Sequence, residues 1–274
     1  MEIATLSCRP SGGEHRRPRG PEPSSKALYR PRSLATLVAP FGTVRAIALD
    51  LDQTLIDFAA SRAAGLDAVL ARIASARHHV DRRDFLERHR QLTAAEDTAY
   101  LRRGAWAPTA GRFASLCLEF GLPSDGFAEE LASLYAETRY ANLRQFPEAA
   151  AALKRLKARH PLFLVTNGPS ASQHREVEVT GVAPYFQRIF VCEDFGLRKP
   201  DPRIFDMIRE EAGVPPEAML IVGDFFEADI EVPRELGWRT VWVVRDDGDR
   251  ARADPARADA VVKSVADVPR LIGL

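Results

Sequence analysis

Residues 48–56 read Ala-Leu-Asp-Leu-Asp-Gln-Thr-Leu-Ile and complete the apolar run that opens at Val44. Aliphatic residues without helical spacing predict a short buried strand. The strand's end raises the difficulty. Asp50 and Asp52 stand two residues apart where the chain leaves a core, and burying two like charges together is costly. Either the pair faces water in a turn, or a cation is held there.

Downstream, residues 58 to about 142 carry helical rather than strand patterns. Apolar positions recur at 65, 66, 69, 70 and 73. A second helix is predicted from a capping Asp81 to Gly104, a third ends at Gly121, and a fourth fills 125–143. From residue 143 helices and strands alternate. The strands are predicted in PLFLVTN, RIFVCE, AMLIVGD, RTVWVVR and ADAVV. One helix is expected through FEADIEVPRELG, and a last one in VADVPRLIGL with Ser264 and Asp267 as a capping box. The alternation predicts an α/β fold, a Rossmann-like parallel sheet core with helices on both faces. The helical block is an insertion after the first strand. The predicted organisation is therefore 1–43 as a disordered extension, 44–57 and 143–274 as the core, and 58–142 as an α-helical bundle cap.

The 274 residues suit one large domain with an appendage. Lys plus Arg and Asp plus Glu number 38 each, so no net charge draws the chain to nucleic acid or an anionic membrane. Cys8, Cys117 and Cys192 are far apart and show no CxxC spacing, which predicts reduced thiols and a cytoplasmic setting. No apolar run is long enough to span a bilayer, and the first 40 residues lack the apolar segment of a secretory signal. Those residues are rich in Pro, Gly, Ser and Arg and predict disorder. They are open to reading as a plain extension, an unused upstream start, a transit peptide or a nucleic-acid tail.

In an open parallel sheet, ligands bind at the carboxyl ends of the strands. Asp50 and Asp52 follow the first predicted strand. Thr166, Asn167 and Gly168 end the second. Gly223, Asp224 and Asp229 follow the fourth, and Lys199 lies in LRKPDP after the third. Carboxylates in this number suit a hard divalent cation such as Mg²⁺. A hydroxyl, a backbone N–H beside a glycine and an ammonium suit a phosphoryl group. One carboxylate can then serve as nucleophile and the other as general acid and base. Taken singly, each motif also reads as a solvated turn or a helix cap; together, in this order, they converge on one sheet edge.

The motifs DLDQTL, VTNG, RKPDP and GDFFEAD resemble, in order and spacing, the four motifs of the haloacid dehalogenase (HAD) superfamily, over residues 44–274. The resemblance implies Asp50 as nucleophile and metal ligand. It implies Asp52 as general acid and base, with its backbone carbonyl on the metal. Thr166, with Asn167 and Gly168 beside it, would bind phosphate, and Lys199 would neutralise phosphate and Asp50. Asp224 would bind Mg²⁺, supported by Asp229. The 116 positions from Asp50 to Thr166 leave room for the helical cap of the type I members, and the 33 from Thr166 to Lys199 are too few for the alternative α/β cap. The segment from Thr166 to Phe205 looks most like the branch of 5′-nucleotidases and sugar-phosphate phosphatases.

The implied activity is Mg²⁺-dependent hydrolysis of a small phosphomonoester (nucleotide, sugar phosphate or phosphoglycolate type) by a monomer or homodimer. A 2-haloacid dehalogenase lacks an acid at the position of Asp52. A phosphomutase and a non-catalytic binding protein of the same fold compete with the phosphatase reading. Two positions depart from the family pattern. Gln53 stands where Gly, Asn or Asp is common, with its side chain expected to point outward. Phe225 stands where Ser or Thr is usual and is expected to narrow the site or shift a hydrogen bond near the metal. Tyr100, Trp106, Phe113, Phe120 and Tyr135 read as cap core, and His174 and the His78-His79 pair as surface. Phe58 and Arg62 are weighed as cleft-facing.

Overall fold

The computed structural model describes residues 41–103, 109–123, 125–245 and 255–274. The expectations for residues 1–40, for Gly104 as a helix end, and for Cys8 and the side chains of Tyr100 and Trp106 lie outside the described residues.

Strand β1 (Ala46–Leu49) is followed by α1 (Phe58–Ser75), α2 (Arg82–Arg103), α3 (Thr109–Glu119) and α4 (Phe127–Asn142). Then come α5 (Ala149–Lys157), β2 (Leu162–Thr166), α6 (Ser170–Thr180), β3 (Arg188–Val191), α7 (Pro202–Ala212) and β4 (Met219–Gly223). The chain closes with α8 (Val232–Glu235), β5 (Arg239–Val243), β6 (Ala260–Val262) and α9 (Val268–Leu271). The sheet order is β3-β2-β1-β4-β5-β6, and every neighbouring pair is parallel. The order reverses beside β1, so the ends of β2, β1 and β4 lie side by side, the place where such sheets bind ligands.

Strands β1, β2 and β4 are buried on both faces, with the two-residue period of a pleated sheet. Ile47, Leu49, Leu164, Leu220 and Val222 pack one way, against Ala152, Leu153 and Leu156 of α5. Ala48, Phe163, Val165, Met219 and Ile221 pack the other way, against Ile204, Phe205 and Ile208 of α7. Each of the Val, Leu, Ile, Phe and Met side chains, taken fully out of water, contributes about 1.5–3 kcal/mol. Among the described residues no helix is long and apolar enough to cross a membrane.

Helices α1 to α4 bury a cluster of their own that includes Leu66, Val69, Ile73, Phe85, Phe113 and Leu131. The periodic positions 66, 69 and 73 of α1 all face it. Asp81 caps α2 as expected, accepting the Asp84 N–H at 2.9 Å. At Gly65, α1 and α4 come so close that a Cβ would sit 2.8 Å from Tyr135 Cδ2 and 2.9 Å from the Tyr135 carbonyl oxygen.

Two local expectations are corrected. FEADIEVPRELG is not one helix: a wider π-helical turn (Phe226–Glu231) precedes the short α8. Such widened turns often occur at functional sites, and this one holds Asp229 buried. The capping box at Ser264 is only half made. The Ser264 hydroxyl accepts the Ala266 N–H at 3.1 Å, but Asp267 pairs with Arg270 instead of turning back.

Candidate active site

Asp50 is the first residue past β1, and its N–H still bonds the Val222 carbonyl at 2.9 Å. The strand ladder thus fixes its backbone while the side chain emerges at the sheet end. Both carboxylate oxygens are occupied. Oδ2 accepts the Thr54 hydroxyl at 3.0 Å and Oδ1 accepts Lys199 Nζ at 2.7 Å.

Lys199 spends its three N–H donors on Asp50, on Asp229 Oδ1 at 2.7 Å and on the Val165 carbonyl at 3.1 Å. Burial pushes its ammonium toward the neutral form, but Asp229 and Asp50 more than offset this and hold it above the usual lysine range. Asn167 sets the lysine's backbone. Its Oδ1 accepts the Lys199 N–H at 2.8 Å, and its Nδ2 donates to the Lys199 carbonyl at 3.0 Å.

Asp229 is fully buried, and its Oδ2 also accepts the Phe225 N–H at 3.1 Å. Gly223 makes room for it: a Cβ there would fall 2.3 Å from Asp229 Oδ2. Burial, with Asp50 adding and Lys199 opposing, pushes the Asp229 carboxyl up to about 6. Burial, then Asp50 and Asp229, raises Asp224 well above the usual carboxylate range.

One oxygen from each of Asp50, Asp224 and Asp229 lies within 4.8 Å of the others. Three acids against one ammonium leave an anion surplus, and a second cation would relieve it. The donors are all hard oxygens, and a hard divalent cation such as Mg²⁺ fits them. The Asp52 carboxylate is not part of this group.

Asp52 instead faces α6. Its Oδ2 lies 3.4 Å from Gln173 Nε2, and its Oδ1 is buried without a partner. Burial first, then Glu176 and Asp50, raises its carboxyl well above the usual range. Gln173 is shared: its Oε1 accepts the Thr166 hydroxyl at 2.6 Å, and its Nε2 also donates to Glu176 Oε2 at 3.1 Å. Glu176 is in turn paired with Arg139. Gln173, Glu176 and Arg139 were missed by the sequence reading. The usable signal was on α6, where Gln173, Glu176 and Val177 share the buried face, so two polar residues occupy positions that periodicity assigns to the interior. His174, beside them, is exposed and pairs with Asp194.

A cavity of about 320 Å³ lies between α6 and the helical block. Asp52, Asn167 and Gly168 line it at the strand ends, and Phe58 and Arg62 face it from α1. Asp50, Lys199, Asp224 and Asp229 lie outside its lining. Tyr135 is both core and cavity wall, packed on Phe113 with ring centres 5.5 Å apart. Phe225 does not narrow this space. The residue is 55% exposed, and its link to the site is the backbone N–H. Gln53 adopts a left-handed backbone, φ 57°, which accounts for small residues being favoured there. At the surface its side chain accepts the Ala59 N–H at 2.8 Å.

Residues 44–237 match the haloacid dehalogenase-like hydrolases. Over 238 residues the chain is 27% identical to N-acylneuraminate-9-phosphatase of Rattus norvegicus, spanning 84% of this chain and 94% of that protein. It is 34% identical over 168 residues to phosphoserine phosphatase of Thermus thermophilus, spanning 60% of this chain and 67% of that protein. In fold it is similar to the HAD-hydrolase YfnB of Bacillus subtilis, solved bound to magnesium. The TM-score is 0.66 at 22% identity, over 84% of this chain and 99% of that one. With the four motifs inside the matched span, the chain belongs to the haloacid dehalogenase-like hydrolase family.

Proposed function

We propose that the protein is a Mg²⁺-dependent phosphatase that hydrolyses a small phosphomonoester through an aspartyl-phosphate on Asp50. The observation that carries this reading is the environment of Asp52. It lies two residues from Asp50, burial, Glu176 and Asp50 raise its carboxyl well above the usual range, and Oδ1 has no partner. That is the condition of a general acid waiting for a leaving-group oxygen.

An Asp50 oxygen attacks phosphorus, the bond to the leaving oxygen breaks, and Asp52 gives that oxygen its proton. Water then attacks the phosphorus of the aspartyl-phosphate, Asp52 takes a proton from it, and Asp50 is released with inorganic phosphate. Thr54 and Lys199 hold Asp50 in position, and the Lys199 charge offsets that of the phosphoryl group. Thr166, Asn167 and Gly168 surround the phosphate position. Asp50, Asp224 and the Asp52 backbone carbonyl would hold Mg²⁺, with Asp229 in support, and the ion would add charge stabilisation at the phosphoryl oxygens. Residues 58–142 serve as a cap over the core of 44–57 and 143–274, setting specificity on the leaving-group side.

The similar phosphatases of rat and Thermus support this reading. Substituting Asp52→Asn tests it. Phosphate release is expected to fall at least about a hundredfold, the usual scale for losing a general acid. Release at the wild-type rate would overturn the role.

A further inference from the structure

The cavity beside Asp52 holds a positive charge that its own walls do not balance. Arg62, Arg112, Arg139 and Arg198 line it. Arg112 is forked onto Glu96 through Nε, at 3.0 Å, and Nη2, with both side chains 12% exposed. Arg139 is paired with Glu176 at 2.6 Å, and Arg198 also has a partner. Arg62 is different. Among the described residues no hydrogen bond or ion pair reaches it.

Among the described residues no spare acid is at hand on either side. In the cavity, Glu96 and Glu176 are committed to Arg112 and Arg139, and Asp52 faces Gln173. In the neighbouring groove, which Arg62 also borders, Asp67 is paired with Arg82 and Glu87 with Arg90. Asp81 caps α2. His89, on the same wall of the cavity, adds no charge at neutral pH, because burial, Arg112 and Arg62 push it down to about 3. A half-buried guanidinium with no counter-ion awaits an anion.

Its position says which part of a ligand it would meet. Phe58 and Arg62 are four residues apart on α1 and share a face, so Arg62 stands about 6 Å farther along the helix axis. Asp52 and Phe58 line the same cavity. A phosphomonoester with its leaving oxygen at Asp52 would run past Phe58 toward Arg62.

We propose that the substrate's leaving group carries a carboxylate that Arg62 receives across this cavity; the proposal rests on the phosphatase reading of the site. The single charge of Arg62 matches a carboxylate, whereas a second phosphate would bring about −1.5 to −2. The guanidinium fork fits a carboxylate's two oxygens.

Binding, not turnover, tests this. Calorimetric titration of Asp50→Asn in Mg²⁺ would use two matched pairs: phosphoserine against phosphoethanolamine, and 3-phosphoglycerate against glycerol 3-phosphate. The carboxylate member of at least one pair is expected to bind about tenfold tighter or more, as a charge-assisted pair allows. Adding Arg62→Gln should bring that ratio to about one, with Arg62→Lys in between. Equal affinity within both pairs, no binding by any of the four, or a ratio that survives Arg62→Gln overturns the proposal. A wild-type protein that shows the ratio but releases no phosphate leaves the carboxylate contact at Arg62 standing and overturns the phosphatase reading instead. Release without a ratio does the reverse.

Discussion

Arg139 Nη1 donates to Glu176 Oε1 at 2.6 Å, and the two side chains are 7% and 1% exposed. The pair ties α4 of the helical block to α6 of the sheet layer. The same guanidinium donates to Ser172 at 2.9 Å and lies over the rings of Phe58 and Tyr140, 5.2 and 4.5 Å from their centres. Through Gln173, Glu176 is one hydrogen bond removed from Asp52.

Removing one partner of such a pair leaves the other charge buried alone. Arg139→Met and Glu176→Gln are each expected to cost about 3–5 kcal/mol. The double variant should cost clearly less than their sum, because neither charge is then stranded. Urea unfolding of the four proteins measures this. Strict additivity would contradict the coupling.

At Gly223 the geometry is stricter. An added Cβ would lie 2.3 Å from Asp229 Oδ2 and 2.5 Å from Asp229 Cβ. Asp229 cannot yield cheaply, since Lys199 and the Phe225 N–H hold its two oxygens. Gly223→Ala is expected to cut kcat/KM for phosphate release at least about a hundredfold, the scale of a 1 Å displacement in a reacting group. Steady-state kinetics beside far-UV circular dichroism separate this from unfolding. Wild-type kinetics would show that the site tolerates the shift.

His89 gives the stability a pH dependence of its own. Burial, then Arg112 and Arg62, lowers its pKa from 6.5 to about 3. Arg112 Nη1 lies 3.4 Å from its Nε2, while the rings of Tyr135 and Phe113 pack on it and Glu96 holds Arg112. Between these two values the unfolded chain binds a proton that the folded chain refuses. Stability is therefore full above about 6.5 and falls as pH drops toward 3. At pH 5 the loss amounts to about 2 kcal/mol. Urea midpoints at pH 7 and pH 5 should separate less in His89→Gln than in the parent. Equal separations would assign the acid loss to other groups.

The polar strand ends were legible because each follows a short aliphatic run, and one parallel sheet brings such ends to one edge. Asp50, Lys199, Asp224 and Asp229 do meet there. The sheet order, with β1 between β2 and β4, has no local signature. Nor does the Arg139–Glu176 pair, whose members lie 37 residues apart. Helical phase turns His174 outward, as its surface reading expected, but turns its neighbour Gln173 inward. At Phe225 the bulky side chain suggested obstruction, but the residue is exposed. The change from the π-helical turn to α8 was hidden because its residues keep a helix-like composition throughout.

The central claim is that Asp50 and a divalent cation carry phosphoryl transfer. The most direct measurement is release of inorganic phosphate from a panel of nucleotides, sugar phosphates, phosphoserine, 3-phosphoglycerate and phosphoglycolate, in Mg²⁺ and in excess EDTA, with Asp50→Asn alongside. Release from at least one compound is expected to require Mg²⁺ and to vanish in Asp50→Asn. Release that persists in EDTA or in Asp50→Asn, or no release from any compound, would contradict it.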